Sequence, residues 1–118
     1  MRIAVLVVIG VLCIVATFAL TQAPPARESA AFVAQMRATV DAVERYQANP
    51  SLLTKLEAQR EYDALRRLEN SPEELNVCIV IQQYWLAAQI VAIAPTSEYK
   101  AKLQAALHDV GMVESNAR

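Results

Sequence analysis

Apolar residues occur in this chain in three patterns: one unbroken run, a set of helical stripes, and one stretch that is apolar on every side. The unbroken run is residues 3–20, IAVLVVIGVLCIVATFAL. It is longer than the apolar part of a secretory signal, about 7 to 15 residues, and fits the roughly 17 to 25 that a membrane-spanning helix needs. A cleavage site at Thr21-Gln22-Ala23 is followed by Pro24, which signal peptidase tolerates poorly, and Thr17-Phe18-Ala19 is an alternative site. Length favours an uncleaved signal anchor over residues 1–22. Cys13 follows Leu12, where a lipoprotein carries a small residue, so lipidation is disfavoured.

After the anchor, residues 23–28 with Pro24-Pro25 form a short stiff linker that keeps the rest of the chain close to the membrane. Periodic stripes then begin. Val33, Met36, Val40, Val43 and Gln47, widened by Phe32 and Tyr46, give one broad apolar face over residues 29–48. Arg37, Asp41 and Arg45 stand four apart on another face. Asn49-Pro50 reads as an N-cap and first helical position for a helix over 50–69. In that helix Leu52, Leu53 and Leu56 point one way, and Ala58, Tyr62, Leu65 and Leu68 nearly the opposite way. The split predicts either a kink near residue 58 or contact with two neighbours.

Ser71-Pro72-Glu73-Glu74 has the chemistry of a capped helix start: Ser71 as cap, proline at the first position and Glu74 completing a capping box. The capping role accounts for both carboxylates without catalysis. The helix it opens, residues 72–94, contains the stretch apolar all round, NVCIVIQQYWLAAQIVAIAP, with no charge from Asn76 to Pro95. Leu75, Ile79, Leu86, Ile90 and Ile93 share one side of the wheel. Val77, Val80, Ile81, Tyr84, Ala88 and Val91 share the other. Such a helix has to be covered on every side. Gln82 and Gln89, seven apart, lie at the edge of the first side with Gln83 on its other flank. They make lipid a costly cover and can set register against a protein helix. The last helix, over 97–110, carries Tyr99, Leu103, Ala106, Leu107 and Val110 on one stripe, with Gly111 as its stop and residues 112–118 as a flexible tail.

The fold predicted is therefore all-α: an N-terminal transmembrane helix, then a small antiparallel bundle of about four helices over residues 29–111. Composition agrees. Only two of 118 residues are glycine, strand and hairpin-turn signals are missing, and good helix formers dominate. A net charge of −1 argues against an electrostatic nucleic-acid binder, which would show a clustered basic face, so no nucleic-acid partner is expected. Arg2 before the run, against cancelling Arg27 and Glu28 after it, orients the N-terminus inward. The alanine-rich composition reads as bacterial, which places the folded domain in the periplasm, on a single-pass inner-membrane protein.

Chemistry is sparse. Cys13 and Cys78 fall in different environments and give neither a disulfide framework nor a metal site. A methionine in the first helix and a histidine in the last give the bundle the outline of a cytochrome b-type haem protein, with Met36 and His108 as ligands. But His108 falls opposite the apolar stripe of its own helix, so no cofactor is expected. No nucleophile elbow, phosphate loop or paired histidines are present, and no catalytic residue is assigned. The reading is a non-enzymatic protein of the cell envelope that works by binding a protein partner or itself, as an accessory or structural subunit. Its candidate interface residues are Tyr62, Leu65, Leu68, Gln82, Tyr84, Trp85 and Gln89, chosen as the aromatic, leucine and glutamine positions of the two helices with apolar surface to spare. The alternatives are a two-span hairpin with residues 77–94 as second span, a ligand- or haem-binding bundle, and a phage-type lysis accessory protein. The anchored layout is similar in outline to phage inner-membrane spanins. That likeness covers architecture alone, and the charged coiled-coil ectodomain it implies is not evident.

Overall fold

The computed structural model describes residues 29–117; the apolar run and its linker lie outside these. Four helices make up 88% of the described part, which has no strands. They are α1 (Ala30–Ala48), α2 (Leu52–Leu68), α3 (Pro72–Ile93) and α4 (Ser97–Asn116). The turns between them are short, so each helix runs antiparallel to the one before it. The packing is not that of a closed ring. α1 packs on α2, α4 packs on α3, and α3 also meets α1 and α2, whereas the α4 backbone makes no close approach to α1 or α2. The stretch that is apolar all round is thus the one helix in contact with every other.

All four N-termini are capped by hydroxyls. Ser29, Ser51, Ser71 and Thr96 each accept a hydrogen bond from the backbone N–H three residues on. Two caps differ from expectation. Ser51, not Asn49, opens α2, because Thr54 sits three residues ahead and returns the bond: Ser51 N donates to Thr54 Oγ1 at 3.0 Å. At Ser71 the cap and Pro72 are as predicted, but Glu74 does not close a capping box on Ser71. Its carboxylate, 1% exposed, accepts from Asn70 N at 2.9 Å and from Ser29 N at 3.0 Å. One buried side chain therefore fixes the start of α1 beside the start of α3.

The core contains Phe32, Met36, Val40, Val43 and Tyr46 of α1, Ala58, Tyr62 and Leu65 of α2, and Val77, Cys78, Ile81, Tyr84, Trp85 and Ala88 of α3. Leu103, Ala106, Val110 and Val113 of α4 complete it. Tyr46 and Trp85 meet edge to face, with ring centroids 5.0 Å apart. Such a pair is worth ~0.5–1.5 kcal/mol beyond its buried area. A polar seam joins α1 to α2: Gln35 Nε2 donates to the Glu61 carbonyl at 2.9 Å, and buried Thr39 Oγ1 lies 3.1 Å from the same oxygen. Thr39 also reaches its own Gln35 carbonyl at 2.8 Å, which satisfies the hydroxyl locally.

α2 runs unbroken through residue 58 and meets two helices, α1 and α3, the second of the two outcomes expected, though neither covers Leu52, Leu53 and Leu56, which are all more than half exposed. One further expectation is corrected. α4 does not stop at Gly111 but continues to Asn116, because Val113 is buried in the core and rewards about one and a half more turns. Gly111 faces open space and sits in the helix as an ordinary residue.

Candidate interaction surface

α3 divides along its length. Glu74, Val77, Cys78, Ile81, Tyr84, Trp85 and Ala88 face inward and are buried. The opposite side holds Leu75, Ile79, Leu86, Ile90 and Ile93, exposed by 41%, 45%, 49%, 43% and 85%. Five large aliphatic side chains in one line are too many to be the scattered apolar residues of an ordinary surface. The predicted two-sidedness is present, and among the described residues the other helices cover one side only.

The inward side is held by polar contacts that leave little freedom. Trp85 Nε1 donates to Gln59 Oε1 at 3.0 Å, Gln47 Nε2 donates to the Tyr84 hydroxyl at 2.7 Å, and Tyr62 Oη donates to the Cys78 carbonyl at 3.5 Å. These contacts fix the order of elements around α3. Gln59 beside Trp85 sets α2 antiparallel to α3, so the exposed leucines of α2 lie toward the end of α3 that carries Ile93. Burial pushes the Cys78 thiol up to about 11 and raises Tyr84 as well, so both stay protonated at neutral pH. A hydrogen bond to Tyr62 raises Arg66. None of these shifts makes a nucleophile or a general base near pH 7.

The residues singled out from the sequence separate into two groups. Tyr62, Leu65, Tyr84 and Trp85 lie in the core, where α1, α2 and α3 already cover them. Leu68 and Gln82 are exposed, and Gln89 is half-buried with its amide donating to the Trp85 carbonyl at 3.4 Å. The aliphatic residues of the outer line form one side of the predicted wheel but are not among the predicted interface residues. Their signal is present in the spacing of Leu75, Ile79, Leu86 and Ile93. Tyrosine and tryptophan draw attention in a sequence because they anchor many interfaces, yet a small bundle spends its few large rings on its own core.

On its other flank the outer side of α3 meets α4. Gln83, Leu86, Ala87 and Ile90 with Tyr99, Ala105 and Ala106 line a shallow hollow of about 360 Å³, and Lys102 and Asp109 stand on its rim. Lys102 lies 3.7 Å from Glu98 and 5.8 Å from the Tyr99 ring centroid, both contacts within α4. Among the described residues no three histidine, cysteine, aspartate or glutamate side chains come together as a metal site. Met36 is buried and His108 is exposed on a helix whose backbone does not approach α1, so these two are not brought together as haem ligands. No protein-family model, curated protein or solved structure matches this chain.

Proposed function

We propose that the protein is a membrane-anchored, non-enzymatic component of the cell envelope whose helical domain works by binding protein through the outer side of α3. The observation that carries this reading is the uncovered line Leu75, Ile79, Leu86, Ile90 and Ile93 on a helix whose other side is fully engaged. Exposed apolar patches of this kind mark interfaces. The apolar run at residues 3–20 supports the anchor, and the short linker after it supports a domain held at the membrane surface.

A second reading has α3 itself crossing the membrane, since it is long and apolar enough to do so. Against it stand the helices packed on its inner side, because α1 and α2 carry exposed Arg37, Asp41, Arg60 and Asp63 and would be drawn into lipid with it. A periplasm-active reporter fused after Ala117 separates the two: activity is expected for one span, and silence sinks the single-span reading. A purified 27–118 fragment tests the surface. It is expected to self-associate or to bind a hydrophobic dye; a monomer that does neither refutes the binding role.

A further inference from the structure

The outer side of α3 has a spacing that selects its occupant. Leu75, Ile79, Gln82, Leu86, Gln89 and Ile93 follow one another at intervals of four and three in strict alternation, the seam of a coiled coil over ~27 Å of helix. All six lie on the side of α3 that the other described helices leave open, Gln89 half-buried and the rest exposed. The order is also self-complementary. Turned end for end about the level of residue 84, the helix sets Leu75 against the partner's Ile93, Ile79 against the partner's Gln89, and Gln82 against the partner's Leu86. Every layer then contains an aliphatic residue and no layer sets glutamine against glutamine. The geometry points to a second copy of this chain, with the two α3 helices packed antiparallel across a two-fold axis at the level of residue 84. The inference rests on the protein-binding reading above and gives that reading its partner.

Three further observations favour a second copy over lipid or an unrelated helix. First, the seam and its neighbours carry no charge from Asn76 to Ala94, so self-pairing sets no like charges together. Second, the glutamines that are costly in lipid are tolerated in a coiled-coil layer and pin its register. Gln89 already donates to the Trp85 carbonyl, which leaves its methylenes to pack. Third, charge complementarity appears where the same axis passes α4. An antiparallel two-fold lying in the interface keeps each α4 on the same side as the other α4. Val77 and Val113 line one hollow and Leu86 and Ala105 another, so the axis at the level of residue 84 crosses α4 near Ala106, between Lys102 and Asp109. It brings Lys102 of each copy level with the partner's Asp109. Asp109 has no ion-pair partner among the described residues, and Lys102 has only the exposed contact to Glu98.

The register is tested by disulfide cross-linking of the full chain in membranes, using two differently tagged copies. Cys13 is replaced by serine, and Cys78 is left in place because it is wholly buried. Leu75→Cys in one copy with Ile93→Cys in the other is expected to give a heterodisulfide, as is Gln82→Cys with Leu86→Cys. Leu75→Cys with Leu75→Cys is expected to give none. Leu86→Glu, added to the first pair, lies outside the core and is expected to lower the yield at least tenfold while the helical signal is retained. If Leu75 pairs with Leu75 and not with Ile93, the antiparallel register is overturned. If neither pair links and a bifunctional amine reagent joins the chain only to a different protein, the second copy is overturned and the protein-binding reading stands. If no protein is joined by either chemistry, both fall.

Discussion

Ile79 and Ile81 are the same residue type two positions apart on one helix, one 45% exposed and the other fully buried. If the two sides of α3 have separate duties, identical truncations will have separate consequences. Ile81→Ala removes three carbon groups from the core, about 2.4 kcal/mol at ~0.8 kcal/mol per buried CH₂. The cavity left among rigid neighbours adds to that, so the total is about 3–4 kcal/mol. Ile79→Ala removes groups that are already half in water and leaves no enclosed void, so its cost to the single chain is about 1 kcal/mol or less. Urea unfolding followed by far-UV circular dichroism and Trp85 fluorescence measures both. Dilute protein keeps association from contributing, and at higher concentration Ile79→Ala alone should lose ground, since an interface stabilises by mass action. Costs within about 1 kcal/mol of each other, or a larger cost at Ile79, would refute the division of α3 into a folding side and a binding side.

Other substitutions probe how that division is built. Glu74→Gln keeps the shape of the side chain but leaves one of the two N–H groups, Ser29 or Asn70, facing an amide donor, and should cost about 2–4 kcal/mol in the same unfolding assay. Glu73→Gln, at an exposed position, should cost under about 0.5 kcal/mol. Trp85→Phe removes the hydrogen bond that Gln59 Oε1 accepts from Trp85 Nε1; about 1–2 kcal/mol is expected, measured by thermal melting. Because burial raises Cys78 to about 11 from an ordinary value of 9.0, the unfolded chain releases that proton first. Stability is therefore full below pH 9 and falls as pH rises toward 11, with Tyr84, also raised, pulling the same way. Unfolding midpoints that are flat from about pH 8.5 to 11 would contradict this.

Much of the fold is legible in the sequence because helical stripes and hydroxyl caps are local. The starts of α3 and α4 follow from Ser71-Pro72 and Thr96, and the buried side of α1 follows from its spacing. What fails to appear is whatever depends on a distant neighbour. Glu74 reads as a local cap, yet its oxygens reach back to Asn70 and across to Ser29, a bond that no spacing reveals. The opposed clusters of α2 are plain in the sequence, but nothing there says that Leu52, Leu53 and Leu56 remain bare. The two sides of α3 are about equally apolar, so periodicity cannot tell which one the chain keeps for itself. That choice is made by Gln59, Tyr62 and Tyr46, which contact the side carrying Cys78 and Trp85. The candidate interface shifts with it, from the rings of Tyr84 and Trp85 to the aliphatic line between Leu75 and Ile93.

The most direct test of the binding surface is a photo-activated cross-linker placed at residue 86 of the full chain in intact membranes, with residue 110 in the core as its control. An adduct between protein chains is expected at 86, at twice the chain's own 13.0 kDa, and only internal products at 110. Lipid adducts alone at residue 86, or no adduct there at all, would contradict the account.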